Sequence, residues 1–199
     1  MYEVLADLLQ IVNTLFAGDA GLFIRTEFNK LLNKLGHTAK LSFLDLGNKV
    51  SSNHSTVPFA RGGITQLTKY VMNYGILLES FGDTLNVIFT DESDIRSSNS
   101  LEQEISGHFS HYLHTLISIL EAKLEERSNL YVDNSLRHIF MMNNIHYIVK
   151  KIKHSKMRKY FGDEWMKEHI VKYKQHARTY ESVNVTRPTS EFGILPVNL

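Results

Sequence analysis

The sequence predicts an all-α protein, and three observations carry that reading. The 129 residues from Phe59 to Arg187 contain no proline, and the three prolines of the chain, Pro58, Pro188 and Pro196, fall where the composition reads as loop or tail. Proline inside a helix removes a backbone hydrogen bond and clashes with the preceding turn, so long proline-free spans suit long helices. Apolar residues recur at three- and four-residue steps along most of the chain, and the alternation of a half-buried strand is nowhere sustained. Helices of about 25 residues span roughly 37 Å, and most connections between them are short enough for antiparallel hairpins. The pattern predicts stacked antiparallel helix pairs, with a compact bundle as the competing geometry.

Each helix has its own stripe. Leu5, Leu8, Leu9, Val12, Leu15 and Phe16 define the first, which ends near Gly18. Ile24, Phe28, Leu31, Leu32, Leu35, Ala39, Phe43, Leu46 and Val50 define the second. Gly36 and Gly47 weaken that helix by about 1 kcal/mol each relative to alanine, so packing must compensate. Residues 51–64 read as a loop, and the hydroxyl of Thr65 can cap a third helix running from Leu67 through Tyr70, Val71, Tyr74, Leu77, Leu78, Phe81, Leu85, Ile88 and Phe89. Residues 90–100 are acidic and serine-rich. A fourth stripe follows from Leu101 and Ile105 through Phe109, Tyr112, Leu113, Leu116, Ile117, Leu120 and Leu124, and a fifth carries Val132, Leu136, Ile139, Phe140, Ile148 and Ile152. Ser155 can cap a short turn closed by Gly162, and Asp163 then caps a sixth helix to about Glu181. This divides the chain into a helical segment, 1–181, and a flexible tail, 182–199.

The chain has 199 residues, 43% hydrophobic and 22% charged, which supports a folded core and excludes wholesale disorder. It has no cysteine, which excludes a disulfide scaffold, thiolate-ligated metal and a thiol nucleophile, and agrees with a cytosolic address. No apolar run approaches the roughly 18–20 residues of a membrane span, and the acidic, amphipathic start MYEVLADLLQ does not read as a secretion signal. Charge is lopsided. Lys and Arg number 11 against 16 Asp and Glu up to Ile145, and 11 against 5 from His146 onward. The last quarter can therefore present a basic surface on a nearly neutral molecule.

Several blocks carry a family likeness. Residues 62–88 hold Leu67-Thr68-Lys69-Tyr70-Val71-Met72-Asn73-Tyr74 followed by Asp83-Thr84-Leu85. Residues 140–149 hold Phe140-Met141-Met142-Asn143-Asn144-Ile145-His146-Tyr147-Ile148-Val149, and Gly162-Asp163-Glu164-Trp165 runs on to Tyr180-Glu181. With Tyr2-Glu3, Leu8-Leu9 and Leu15-Phe16, these resemble, in order, the plant members of the seventy-kilodalton subunit family of the exocyst, over about residues 2–181. The resemblance implies an elongated rod of stacked helical pairs and a structural role in a tether that holds secretory vesicles at the plasma membrane before fusion. It implies other exocyst subunits and small GTPases as partners, and contact with acidic phospholipid. It further implies a truncated member, since the helices that join other subunits and the far C-terminal basic region have no counterpart here.

Among candidate sites, Lys150, Lys151, Lys153, Lys156, Arg158 and Lys159 form the densest basic cluster. On one continuous helix they would point in nearly every direction, but a helix end at His154 and a new turn from Ser155 would gather them at a corner, as a contact for acidic lipid or an acidic partner. No nucleic-acid-binding motif accompanies the charge, so nucleic acid is not expected as a partner. His108, His111 and His114 are spaced to share one side of the fourth helix, yet no metalloprotease-type motif accompanies them, and they read as a polar face. Asn143 and Asn144 interrupt an apolar run and read as an internal hydrogen-bond network, and Trp165 as an inter-helix anchor. No P-loop, dinucleotide fingerprint or nucleophile elbow is present. The expectation is a non-enzymatic tether subunit, without catalytic residues, metal or cofactor, located in the cytoplasm and peripherally at the plasma membrane. The alternative is a regulatory or immune-recognition adaptor without tethering activity.

Overall fold

The computed structural model describes residues 2–89 and 107–185, and every regular element among them is helical. The α-helices are α1 (Tyr2–Leu15), α2 (Leu22–Ser51), α3 (Gln66–Glu79), α4 (Gly82–Phe89), α5 (Gly107–Ser128), α6 (Asn134–Lys153) and α7 (Arg158–Val185). Short 3-10 turns sit at Asp19–Gly21 and Ala60–Gly62. The chain divides into two compact units, Met1–Asn53 with Asn73–Leu120, and His54–Met72 with Glu121–Leu199.

In the first unit, α1 folds back on α2, with the Tyr2 ring against Gly36 near one end and Arg25 reaching the Gly18 carbonyl at the turn. Gly47 likewise faces Ile119, and at both glycines a Cβ would stand 3.4 Å from its neighbour, in ordinary contact. The α2 core is Leu32, Phe43, Leu46 and Val50, whereas Ile24 and Leu31 from the same stripe are exposed. Phe43, Phe89 and Tyr112 meet with ring centroids 5.2–5.5 Å apart, in the offset and edge-on geometries aromatic rings favour. The Tyr112 hydroxyl donates to the Phe43 carbonyl at 2.8 Å. Burial, with Tyr74 nearby, pushes this phenol well above its usual range. Helix α1 buries none of its side chains fully. Val4, Leu8, Ile11 and Leu15, which share one side at helical spacing, are exposed.

The second unit is built on the α6–α7 hairpin. It is antiparallel, because His138 faces His176 while His146 faces Tyr173. Phe140, Met141, Ile145, Ile148, Ile152, Leu124 and Met157 are fully buried. Gly62 packs against α6, where an added Cβ would stand 2.9 Å from Ile139 and 3.1 Å from the Phe140 nitrogen, and its φ of +64° is one that L side chains rarely adopt.

The expected cap forms, with the Thr65 hydroxyl accepting from the Thr68 N–H at 3.0 Å. The third predicted helix, by contrast, is two. Its ladder stops at Glu79, where the Ser80 hydroxyl donates to the Leu77 carbonyl, a local bond that competes with the helix. Helix α4 restarts at the buried Gly82. Val132, which the stripe assigns to the fifth predicted helix, instead lies before α6 and is fully exposed, because Asp133 caps α6 through the Ser135 N–H at 2.8 Å. Leu101 and Ile105, and the predicted loop at 90–100, lie outside the described residues. Of the predicted tail, residues 182–185 continue α7, and 186–199 lie outside the described residues.

Candidate functional site

The junction between α6 and α7 holds all six residues of the basic cluster. Lys150, Lys151 and Lys153 occupy the last turn of α6, where cations complement the helix dipole. His154 ends the helix, and the Ser155 hydroxyl donates back to the Ile152 carbonyl at 3.2 Å rather than capping forward. Interleaved apolar residues fix the junction from inside, since Ile152, Met157, Tyr160 and Phe161 are buried while Lys150, Lys153, Lys156, Arg158 and Lys159 are exposed. Three of the cations have defined neighbours. Lys151 lies 5.5 Å from the centre of the Tyr147 ring and Lys159 4.8 Å from that of Tyr160, within cation–π range. Arg158 donates to the Asp163 carboxylate at 2.6 Å. The junction thus carries its six cations around a buried apolar base.

Gly162 sets a kink that follows the junction. At φ +71° and ψ 177° it occupies backbone space essentially reserved for glycine, and it turns the first residues of α7 against the rest of the helix. No heavy atom lies within 4 Å of where a Cβ would stand, so the cost of a side chain there is conformational only. Gly162→Ala is expected to lower stability by about 1–3 kcal/mol in urea unfolding, while Lys167→Ala on the exposed face stays within about 0.5 kcal/mol.

Two further clusters fix the elements around the corner. Asn144, buried on α6, accepts from the Thr65 N–H at 3.0 Å and the Thr68 hydroxyl at 2.7 Å, and donates to the Gly63 carbonyl at 3.1 Å and the Phe140 carbonyl at 2.8 Å. Asn143 donates to the Gly62 carbonyl at 2.9 Å. Both amides serve internal bonding, as the sequence suggested. Glu121, only 14% exposed on α5, faces His169 Nε2 at 3.1 Å and Lys172 Nζ at 2.9 Å on α7. Burial would raise this carboxyl, but hydrogen bonds and charge from His169 and Lys172 outweigh it and hold the group below the usual carboxylate range. Trp165 stacks on His169 at 3.6 Å and meets Phe161 at 4.6 Å, so this half-buried ring packs on neighbours along its own helix. The Glu121 cluster escapes sequence reasoning, because its members lie about fifty residues apart with no motif joining them.

His111 is exposed and His114 half-buried on α5, and the His108 side chain lies outside the described residues. Among the described residues no group of three or more His, Asp or Glu side chains is placed to hold a metal ion, and no helix is long and apolar enough to cross a membrane.

Residues 1–185 match the family defined by the C-terminal part of the Exo70 exocyst complex subunit. The chain is 38% identical over 186 residues to exocyst complex component EXO70E2 of Arabidopsis thaliana, covering 91% of this chain and 29% of that protein. It is 31% identical over 187 residues to EXO70A1 of the same plant, covering 94% and 28%. Against exocyst complex component EXO70I of Medicago truncatula the identity is 22% over 176 residues, covering 84% and 25%. The chain thus spans under a third of the length of these curated relatives.

Proposed function

The chain belongs to the Exo70 family of exocyst subunits, within its C-terminal region, and from that premise we propose that it acts as a non-enzymatic, exocyst-subunit-like component of vesicle tethering during exocytosis. The observation that carries this reading is the family match over residues 1–185, in a segment whose described residues are entirely helix, turn and loop. Its work is done through protein contacts with other exocyst subunits, and with small GTPases, in the cytoplasm and peripherally at the plasma membrane. Affinity capture separates this reading from the adaptor alternative. Recovery of other exocyst subunits supports tethering, and a different stable partner without any of them supports the adaptor.

The basic junction adds a weak attraction for acidic phospholipid. A basic residue near an anionic leaflet contributes on the order of 1 kcal/mol, fading within about 8–10 Å. If three of Lys150, Lys151, Lys153, Lys156, Arg158 and Lys159 face one leaflet, the attraction is about 3 kcal/mol, weaker than millimolar binding. Co-sedimentation with phosphoinositide-containing vesicles is expected to be detectable at low salt and to fall sharply at physiological salt. The combined variant Lys150→Glu, Lys151→Glu, Lys153→Glu is expected to abolish it. Tight binding insensitive to both salt and charge reversal would place the membrane contact elsewhere.

A further inference from the structure

The α6–α7 hairpin is closed, at the end away from the basic junction, by a pair of histidines. His138 on α6 and His176 on α7 face each other with Nδ1 3.0 Å from Nδ1, ring centroids 5.3 Å apart and planes tilted by 43°. A bond at that distance needs one nitrogen to carry a proton and the other to offer a lone pair. Two neutral rings in opposite tautomers satisfy this, and so does one imidazolium beside one neutral ring. Two imidazoliums do not, because two N–H groups then confront each other. The surrounding charge sharpens the conflict. Arg137 on α6 and Lys172 on α7 are positive, and among the described residues the anion acting on the pair is Glu125 on α5, which Arg137 already engages at 3.2 Å.

We propose that the His138–His176 pair is a proton-operated latch, in which uptake of a second proton breaks the interhelical bond and releases the C-terminal end of α7 from α6. Burial holds both imidazoles below the usual histidine range. Arg137 adds to the depression at His138, and His138 itself adds to it at His176, while Glu125 opposes both. A depressed folded value means that the released state binds protons more readily. The latch is therefore fully closed above the unperturbed histidine value of about 6.5 and weakens as pH falls from there through the lower folded values. The release is confined by the Glu121–His169–Lys172 cluster, which grips α7 one to two turns before His176. The Glu121 carboxyl, held below the usual carboxylate range, stays charged there and keeps its ion pair with Lys172 at 2.9 Å. Only the helix beyond Lys172 comes free.

Hydrogen exchange on the whole chain, corrected for intrinsic rates, tests this at pH 7.5 and 5.5. With one extra proton per opening, the opening constant rises by up to about tenfold per pH unit within the titration window. Protection of residues 173–185 is expected to fall about tenfold at pH 5.5, with residues 163–172 changing less than about twofold. His176→Asn keeps a hydrogen-bonding amide opposite His138 but takes no proton, and His138→Asn does the reverse. In each variant the pH-dependent loss is expected to shrink below about twofold. Imidazole titration followed by nuclear magnetic resonance in the unmodified chain supplies the independent readout, with both rings expected to titrate below the usual histidine range. No loss of protection at pH 5.5, or an equal loss in both asparagine variants, would overturn the latch.

Discussion

Asn144→Ala is expected to destabilise the second unit by about 3–5 kcal/mol. The side chain is fully buried and makes four hydrogen bonds. Alanine leaves the buried Thr65 N–H and the part-buried Gly63 carbonyl without that partner, and each stranded group costs about 1–3 kcal/mol. Asn143→Ala, which removes one bond from a half-buried amide, is expected to cost about 1 kcal/mol. Asn144→Asp separates geometry from charge. Its carboxylate would face the Gly63 and Phe140 carbonyls without a proton to donate, so the variant is unstable at neutral pH and regains stability on acidification, when the carboxyl protonates. Urea unfolding monitored by circular dichroism checks all three. Asn144→Ala matching Asn143→Ala would show that the amide does not hold the loop before α3 to α6.

Leu113→Ala and Leu116→Ala in α5 are each expected to cost about 2–5 kcal/mol, as large-to-small changes at core positions do. Both side chains are 1% exposed. Glu125→Ala, on the same helix but 53% exposed, is expected to stay within about 0.5 kcal/mol. Thermal melts of the three variants give the comparison. Leu113→Ala no worse than Glu125→Ala would mean that the facing of α5 is misassigned.

How far the sequence reaches can be seen at particular residues. The α5 stripe and the Thr65 cap were legible, because apolar spacing and a capping hydroxyl act within a few residues of one another. The family resemblance was legible for a related reason, since its blocks are contiguous and ordered. The break after Glu79 was not, because Ser80 and Gly82 sit inside an unbroken apolar rhythm, and the interruption shows only in the local bonding around Ser80 and Phe81. Val132 fitted the period of the next helix but precedes its cap, since Asp133 decides the start of α6. The helix end at His154 was legible from the same local pattern, and α6 does stop there. The partners of Asn144 lie up to 81 residues away, those of Glu121 about fifty, and His176 is 38 residues from His138. Such pairings depend on how helices pack, which local periodicity does not encode.

On this reading the helical chain works through contacts with the exocyst. Quantitative affinity capture of the tagged, folded chain from plant cells at physiological salt decides the matter, alongside the Lys150→Glu, Lys151→Glu, Lys153→Glu variant. Other exocyst subunits are expected to be enriched with both proteins if, as proposed, protein contacts carry the association. Recovery of the folded chain with no exocyst subunit enriched above background would contradict it.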